Sequence, residues 1–234
     1  MSKNVTVILP TYNEKENIEK LIREVHKYTG KDLKEIIVVD DNSPDKTYNI
    51  VEDLMSEFKN LRLIRRVNEK GLPGAIIAGI KAGKGDYFIW MDCDLSHPPK
   101  YIPKLLKEVP QYDLIVASRY VKGGRDIRPF SRVLASKFFS ISANLLLNLK
   151  VKDVTSGFFV VKKDVFRKMG IKKDGYAEYC IRLVNQARRK GFKIKEVPYS
   201  FVDREKGTSK TDSNIKNFLY NGYLCMKEII YQML

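Results

Sequence analysis

The chain has 234 residues, enough for one large domain with a substantial hydrophobic core. Hydrophobic residues make up 44% and charged residues 30%, which is typical of a globular protein, and no apolar run approaches the roughly 18 residues that span a bilayer. A net charge of +15 favours anionic partners such as phosphorylated substrates, an acidic membrane surface or nucleic acid, although a solvated, charge-rich surface would explain it too.

The first half of the chain alternates predicted strands and helices. Short apolar strands are predicted at residues 5–9, 36–39, 61–65, 87–91 and 114–117. Helices with an apolar stripe are predicted at residues 17–28, 47–58 and 74–81. This alternation predicts an α/β fold with a Rossmann-like, mostly parallel sheet and helices on both faces.

The second half begins with a basic, glycine-containing loop at 118–125. Further helices are predicted near 131–149, 177–190 and 215–234, strands at 155–161 and 192–197, and a polar loop at 203–210. The helices near 131–149 and 215–234 carry apolar stripes, which more often pack into a core than contact a membrane surface. Because no repeat or linker interrupts the pattern, we expect residues 1–234 to form a single domain.

The end of the strand at 87–91 carries two carboxylates, Asp92 and Asp94. Successive strand residues point to opposite faces, so acids one position apart project to the same side. Such acids repel each other unless a positive charge lies between them, and a divalent cation carrying diphosphate oxygens would supply that charge. Two solvated turn acids are the simpler alternative.

Two other loops follow strand ends and are expected at the same rim of the sheet. Asp40-Asp41 could accept hydrogen bonds from a nucleobase or ribose, or simply form a turn and helix cap. The segment Lys70-Gly-Leu-Pro-Gly74 could bring backbone amides close to a ligand or be a plain turn, and it matches neither a Walker A nor a dinucleotide-binding motif.

Six short motifs follow one another along the chain. They are Pro10-Thr-Tyr-Asn-Glu14, Val38-Val-Asp-Asp-Asn-Ser-Pro-Asp45, Met91-Asp-Cys-Asp-Leu-Ser-His-Pro98, Ser118-Arg-Tyr-Val-Lys-Gly-Gly124, Thr155-Ser-Gly157 and Gly207-Thr-Ser-Lys210. Together they resemble family 2 glycosyltransferases of the GT-A fold, specifically the dolichyl-phosphate (polyprenyl-phosphate) mannose synthases. The likeness covers nearly the whole chain and implies a GT-A type fold and a hexosyltransferase.

The resemblance also implies roles for individual residues. Nucleotide contacts are implied for Pro10, Tyr12, Glu14, Asp41, Lys70 and Asp92. A Mg²⁺ or Mn²⁺ site is implied at Asp92, Asp94 and Ser96, the last standing where some relatives carry Gln. Binding of the acceptor phosphate or the leaving diphosphate is implied for Arg119, Arg132, Ser136, Arg204 and Lys210. Arg119 joins Asp92 and Asp94 as the implied catalytic set.

One position departs from the family pattern. The acidic residue usual in the helix near 177–190 falls three positions after Glu178, where this chain has Ile181. The assignment of Glu178 to the site is therefore open.

The chemistry of the acceptor favours a lipid phosphate. Sugar transfer to an alcohol needs a carboxylate base, whereas a lipid phosphate is already anionic at neutral pH. The chain also lacks the Gln-x-x-Arg-Trp motif of processive synthases, since its only Trp is Trp90. We therefore predict metal-dependent, inverting transfer of mannose from GDP-mannose to a polyprenyl (dolichyl) phosphate. UDP-glucose or another UDP-sugar donor, a sugar-polymer synthase and a non-catalytic basic membrane- or nucleic-acid-binding protein stay open as alternatives.

A peripheral location on the cytoplasmic side of a membrane is expected. Cys93, Cys180 and Cys225 are widely spaced, which fits a reducing cytosol, and the predicted strand close to Met1 leaves no room for a signal peptide. Without a transmembrane segment, docking would use the helices near 131–149 and 215–234, the basic surface, or a small membrane-anchoring subunit. A nucleic-acid partner is not expected.

Overall fold

The computed structural model describes residues 2–169, 173, 175–176, 178–203 and 215–233, apart from the side chains of 215–218. The described strands are β1 (Val5–Thr11), β2 (Leu33–Asp40), β3 (Leu61–Arg65), β4 (Tyr87–Trp90), β5 (Leu114–Ser118), β6 (Arg125–Asp126), β7 (Phe159–Lys162), β8 (Ile194–Pro198) and β9 (Ser200–Phe201). Seven of them form one sheet in the order β3-β2-β1-β4-β7-β5-β8, and β6 pairs with β9 in a small second sheet.

Most of the large sheet is parallel, as predicted. The neighbours β3, β2, β1 and β4 run parallel to one another, and β5 runs parallel to β8. The exception is β7, which lies antiparallel between β4 and β5. Because of this direction, β7 begins at the rim where the parallel strands end, so the loop that precedes it joins their loops.

The helices correspond closely to the predicted ones. They are α1 (Ile18–Thr29), α2 (Thr47–Leu54), α3 (Leu72–Ala82), α4 (Ile102–Leu106), α5 (Phe130–Leu147), α6 (Lys163–Met169), α7 (Tyr179–Arg189) and α8 (Ile215–Met233). The short helix α6 was not predicted, because its seven residues give too little apolar periodicity to distinguish it from a loop.

Alternate residues of the strands pack against helices on opposite faces. In β1, Val7 and Leu9 join the apolar cluster that includes α1, α2 and α4, whereas Ile8 joins the cluster that includes α3 and α5 to α8. Both clusters are buried, and each fully buried aliphatic side chain contributes about 1.5–3 kcal/mol. The predicted arrangement of helices on both faces is therefore confirmed.

The carboxyl ends of the parallel strands meet at one rim. Thr11 at the end of β1 is in register with Asp40 at the end of β2. The loops after β1, β2, β4 and β5 and the loop before β7 all reach this rim, where they can build a shared site.

Candidate active site

A cavity of about 490 Å³ lies at this rim. Eleven of the thirteen predicted site residues line it, namely Pro10, Tyr12, Glu14, Asp41, Lys70, Asp92, Asp94, Ser96, Arg119, Arg132 and Ser136. The other two, Arg204 and Lys210, lie outside the described residues. The fold thus brings together every predicted site residue that the structure describes, while the role of each stays a prediction.

The two aspartates after β4 differ in their surroundings. The side chain of Asp92 is 44% exposed, whereas Asp94 is buried. Asp94 Oδ1 accepts hydrogen bonds from the Ser96 backbone N at 3.0 Å and from Ser96 Oγ at 2.5 Å. Leu95, which lies between Asp94 and Ser96, adopts a left-handed backbone conformation with φ of 64°, and this turns the segment back on itself. Asp94 is therefore held in one orientation, and Asp92 remains accessible from the cavity.

In this structure the hydroxyl of Ser96 donates a hydrogen bond to the Asp94 carboxylate. The lone pairs of the same oxygen could still coordinate a cation. Within the described part of the chain, no group of three or more His, Cys, Asp or Glu side chains is placed to hold a metal ion. A cation here would take its remaining ligands from a substrate and from water.

His97 supports the backbone of the same segment. Its Nδ1 accepts a hydrogen bond from the Asp92 backbone N at 3.1 Å. The ring stacks on Phe158 and meets Tyr199 and Phe201 edge-on. Burial lowers the pKa of His97 to about 4, so the ring is neutral at pH 7 and carries its proton on Nε2. The aromatic cage around His97 thus fixes the position of Asp92.

Gly157 in the loop before β7 leaves room for this arrangement. A Cβ atom at Gly157 would lie 3.1 Å from His97 Cε1 and 3.5 Å from both carboxylate oxygens of Asp92. A side chain at position 157 would therefore crowd the His97 ring and would contact Asp92 at an ordinary distance, so glycine favours the close approach of this loop to His97.

The opposite part of the cavity is formed by the loops after β1, β2 and β3. Lys70 Nζ lies 5.3 Å from the centroid of the Tyr12 ring, within range of a cation–π interaction. Glu14 accepts a hydrogen bond from Asn17 Nδ2 at 3.0 Å and its backbone N donates to Thr47 Oγ1. These contacts tie the segment Pro10-Thr-Tyr-Asn-Glu14 to the starts of α1 and α2.

Arg119 is the centre of a buried ionic network. Its Nε and Nη2 donate to the two carboxylate oxygens of Asp153 at 2.8 and 2.6 Å, and its backbone N donates to the same group at 2.9 Å. Nη2 also reaches Thr155 Oγ1 at 2.8 Å and Ser136 Oγ at 3.2 Å. Burial disfavours the charge, but Asp153 outweighs it and raises the pKa of Arg119. Arg119 is thus paired within the protein although it also lines the cavity.

Arg128 is paired in a similar way. Its guanidinium binds both carboxylate oxygens of Asp126 at 2.9 and 2.7 Å and lies 4.8 Å from the centre of the Phe201 ring. Arg119 lies 5.6 Å from the same ring centre. The basic series predicted for this region therefore includes two arginines that are compensated by acids from β6 and from the loop before β7.

Apolar side chains of α5 and α8 complete the cavity. Ala135 and Phe139 of α5 and Gly222 and Cys225 of α8 line it. A Cβ at Gly222 would lie 3.0 Å from Phe139 Cζ, so this glycine allows the two helices to pack closely. One wall of the site is therefore apolar.

The outer faces of the same helices are also apolar. Phe130, Leu134, Phe138, Ile141 and Leu145 form an exposed stripe along α5, with Phe130 and Leu145 about 80% exposed. On α8, Leu219, Tyr223 and Ile230 are exposed as well. The predicted apolar stripes of α5 and α8 are present, but the residues named here face outward and not into the core. None of the helices in the described ranges combines the length and apolar character that a membrane span needs.

Several residues of the site were not predicted. Asp153 holds Arg119, Arg66 holds Asp41 and His97 holds Asp92. The members of these pairs lie 34, 25 and 5 positions apart in the chain.

Glu178 accepts a hydrogen bond from the backbone N of Tyr176 at 3.0 Å, and Ile181 is fully buried in the core. The family position of the acidic residue is thus apolar here, and Glu178 forms a local contact at the start of α7.

Comparison with known proteins identifies the family. The model named "Glycosyl transferase family 2" matches residues 6–170. A dolichol-phosphate mannosyltransferase of Pyrococcus furiosus is 39% identical over 95% of the chain, which spans 64% of that protein's length. An undecaprenyl-phosphate mannosyltransferase of Micrococcus luteus is 34% identical over 90% of the chain and 88% of its own length.

Solved structures share the fold. The glucosyl-3-phosphoglycerate synthase of Mycobacterium tuberculosis, crystallised with Mn²⁺, UDP and glucosyl-3-phosphoglycerate, has a TM-score of 0.74 over 99% of this chain and 80% of its own. The same enzyme with Mg²⁺ and UDP has a TM-score of 0.75 over 99% of this chain and 79% of its own. At 18% and 17% identity these similarities extend to the fold alone, and they confirm the predicted GT-A type. The resemblance to polyprenyl-phosphate mannose synthases is likewise confirmed, and the chain belongs to glycosyl transferase family 2.

Proposed function

We propose that this chain transfers mannose from GDP-mannose to a polyprenyl phosphate, with inversion at the anomeric carbon and with Mg²⁺ or Mn²⁺ as cofactor. The observation that carries the proposal is the composition of one cavity. Two carboxylates at the end of β4, basic side chains and an apolar wall from α5 and α8 all line it. A nucleotide sugar and a lipid phosphate need these three environments side by side.

The donor set at β4 fits a hard divalent cation. Mg²⁺ is usually held by one or two carboxylates together with substrate phosphates and water. Asp92, which is accessible, and Asp94, whose orientation Ser96 fixes, offer such a pair. When bound, the cation would offset the negative charge of the diphosphate. His97 and Gly157 keep the Asp92 backbone where its carboxylate meets the cavity.

The nucleoside would occupy the part of the cavity formed by the loops after β1, β2 and β3. Pro10, Tyr12 and Lys70 line this part, and the aromatic ring and the ammonium group suit a base and a phosphate respectively. Asp41 lies on the same wall and offers a carboxylate oxygen to an N–H group of a base.

The acceptor phosphate would enter beside α5. Arg132 and Ser136 line the cavity there, and Arg204 and Lys210 are the further candidates outside the described residues. Arg119 acts mainly through Asp153, Thr155 and Ser136, so its contribution is to hold the phosphate-binding side chains in place as well as to add positive charge. The first isoprenoid units would contact Ala135, Phe139 and Gly222.

The reaction is a single displacement. A phosphate oxygen of the lipid forms a bond to the anomeric carbon while the bond from that carbon to the nucleoside diphosphate breaks. The lipid phosphate is already ionised, so no side chain has to remove a proton. The basic residues stabilise the charge that develops on the departing diphosphate.

The membrane surface is the proposed location of the reaction, on the cytoplasmic side. The exposed stripe of α5 would rest among lipid headgroups, and Lys137, exposed on the same helix, would contact anionic lipids. A stripe on the helix that also lines the cavity would place the acceptor entrance at the lipid surface. A small membrane-anchoring subunit stays a further proposal.

Incubation with labelled donors tests the donor and the acceptor together. Purified protein is given radiolabelled GDP-mannose, UDP-glucose or UDP-N-acetylglucosamine with Mg²⁺ or Mn²⁺ and a polyprenyl phosphate in vesicles, and label is extracted into organic solvent. We expect acid-labile lipid label from GDP-mannose. Label from a UDP-sugar alone would contradict the mannose assignment, and a lengthening, acid-stable product would indicate a polymer synthase.

Asp94→Asn separates the enzyme from a non-catalytic basic binding protein. Asn keeps an oxygen that can accept the hydrogen bonds from Ser96 but removes the negative charge. We expect a loss of transfer of at least 100-fold with an unchanged fold. The matched control is Asp86→Asn, an exposed acid at the other end of β4 that accepts a hydrogen bond from Asn4 Nδ2 at 2.9 Å. Vesicle or RNA binding without any transfer by the parent protein would support the binding protein instead.

A further inference from the structure

Arg66, directly after β3, has no role in the function proposed above, yet it is almost completely buried. Its side chain is 7% exposed, and its Nε donates to Asp41 Oδ1 at 2.6 Å while Nη2 lies 2.5 Å from the same oxygen. Asp41 is itself buried. A buried arginine and carboxylate in such close contact hold each other in fixed positions.

The same guanidinium also holds the turn before α3. Nη2 donates to the carbonyl oxygen of Gly71 at 2.9 Å, and the backbone N of Gly71 donates to Asp41 Oδ2 at 2.8 Å. Arg66, Asp41 and Gly71 therefore form a closed ring of hydrogen bonds. Gly71 has φ of 120°, a conformation that favours glycine, so the turn depends on both the residue type and the ring.

The packing around Arg66 is tight. A Cβ atom at Gly74 would lie 2.6 Å from Arg66 Nη1. The first turn of α3 thus leaves space for the guanidinium only because position 74 is a glycine. Besides forming a turn, the segment Lys70-Gly-Leu-Pro-Gly74 therefore provides the space in which the Arg66 guanidinium lies.

The ring determines what Asp41 can offer to a ligand. A carboxylate has about four positions that accept hydrogen bonds. Oδ1 is used by two nitrogens of Arg66, and Oδ2 is used by the Gly71 backbone N. Asp41 can then accept one further hydrogen bond on Oδ2, from a single N–H group of a nucleobase. Without Arg66 the two positions on Oδ1 would be open as well, and the turn that carries Lys70 would lose its anchor.

We infer that Arg66 is a positioning residue for the nucleotide: it orients Asp41 and holds the Lys70–Gly71 turn as the wall of the donor site. The inference rests on the proposed function, because it assigns the donor site to this part of the cavity. Asp41, Lys70 and Gly71 all line the cavity, so a shift of the ring changes the surface that the nucleoside contacts.

The test compares two substitutions at Arg66 with a control at Arg62 on β3, whose side chain is more exposed. Arg62 donates to Glu35 at 2.7 Å and to the carbonyl oxygen of Ala82 at 3.1 Å, so it also joins an acid to a backbone oxygen. This pair lies at the other end of β3, away from the cavity. Arg66→Met removes the ring, Arg66→Lys keeps a positive charge beside Asp41 but loses the forked contact, and Arg62→Met is the control.

Two measurements are made on each protein. Hydrogen exchange of the nucleotide-free protein reports the mobility of residues 67–74, and calorimetry with GDP and with UDP in the presence of Mg²⁺ reports the dissociation constants. For Arg66→Met we expect faster exchange confined to 67–74 and a Kd for GDP raised at least tenfold. For Arg66→Lys, which keeps the charge needed for folding, we expect the same change in exchange and a Kd raised about fivefold. Arg62→Met should bind GDP within twofold of the parent.

The outcomes separate this inference from the proposed function. If the parent binds GDP and both Arg66 variants bind it within twofold, with unchanged exchange at 67–74, Arg66 does not position the site. If Arg62→Met weakens GDP binding as much as Arg66→Met, the effect is one of general stability and the inference is also overturned. If the parent binds neither GDP nor UDP, the proposed function fails, and the assignment of Arg66 to a nucleotide site fails with it.

Discussion

The buried pair of Arg119 and Asp153 allows a quantitative prediction. Asp153 is fully buried and accepts three hydrogen bonds from Arg119, two from the guanidinium and one from the backbone N. Arg119→Met removes the first two and leaves a buried carboxylate without its counter-charge. Breaking a buried pair by removing one partner costs about 3–5 kcal/mol. At this chain length each kcal/mol lowers Tm by about 2–4 °C, so Tm should fall by about 6–20 °C.

A double-mutant cycle isolates the pair. Asp153→Asn alone leaves the buried arginine with Asp126, whose Oδ2 lies 3.6 Å from Arg119 Nη1, as its remaining counter-charge. The double variant Arg119→Met/Asp153→Asn removes both charges of the pair. We expect the double variant to be more stable than the sum of the single effects implies, with a coupling energy of about 2 kcal/mol or more. The matched control is Arg23→Met, because Arg23 binds both oxygens of Glu57 at 2.6 and 2.8 Å on the surface. An exposed pair of this kind contributes about 1 kcal/mol or less.

Trp90 provides the signal for urea unfolding. It is the only tryptophan, it is buried, and its Nε1 donates to the Tyr179 hydroxyl at 3.0 Å inside the core. Its fluorescence should therefore report the unfolding of the core that surrounds it. The reasoning is refuted if Arg119→Met is no more destabilising than Arg23→Met, or if the two single effects simply add.

Three further predictions concern the cation, the membrane and pH. Ser96→Ala removes the hydroxyl that orients Asp94, so the Mg²⁺ concentration that half-saturates GDP binding should rise roughly tenfold in calorimetric titrations, and an unchanged value would contradict that role. Leu134→Glu should reduce sedimentation with anionic vesicles roughly tenfold while Val67→Glu, equally exposed away from α5, leaves it unchanged; equal effects would argue against the α5 stripe. Burial opposes the charge of Glu35, but hydrogen bonds from an arginine, a backbone amide and a threonine outweigh it and lower its pKa below 4.5, so its contribution to stability is present above that pH and lost as pH falls through the lower value. Glu35→Gln should therefore flatten the stability curve measured by urea unfolding as the pH falls below 4.5, and a parallel curve would contradict this.

The sheet could be predicted because its strands are buried on both faces. Such strands appear in the sequence as short continuous apolar runs, and residues 36–39 and 114–117 are fully buried in the structure. Their alternation with helices then requires parallel strands and a shared rim. The position of the candidate site follows from these two facts, without any knowledge of the order of the strands.

The strand order itself lies beyond such reasoning. β7 inserts antiparallel between β4 and β5, and this choice depends on the packing of segments about 70 and 40 residues away along the chain. An apolar strand of four residues looks the same in either direction. The consequence for the site is large, because this insertion brings Asp153, Thr155 and Gly157 to the rim.

The pairing of the cavity arginines with carboxylates could not be predicted either. Arg119 and Arg128 belong to a basic series that indicates an anion site, yet each is bound by a carboxylate. Asp126 lies only two positions from Arg128, so this pair is local in the sequence, whereas Asp153 lies 34 positions from Arg119. Asp153 follows a lysine in what the sequence shows as an ordinary loop. Ion pairs over such distances are properties of the fold, and local charge patterns do not contain them.

These pairs reconcile two demands that the proposed reaction places on one cavity. Carboxylates that hold a dication need surroundings without a large excess of fixed positive charge, whereas two phosphate groups need cations close by. Asp153 and Asp126 neutralise Arg119 and Arg128 but leave their guanidinium groups in place on the cavity wall, where they still donate hydrogen bonds. Charge that is compensated but rigidly oriented costs little reorganisation when a phosphate arrives, which is the condition under which electrostatic stabilisation of a leaving diphosphate is most effective. The buried acids beside the arginines are therefore as much a part of the proposed site as the aspartates that face the nucleotide.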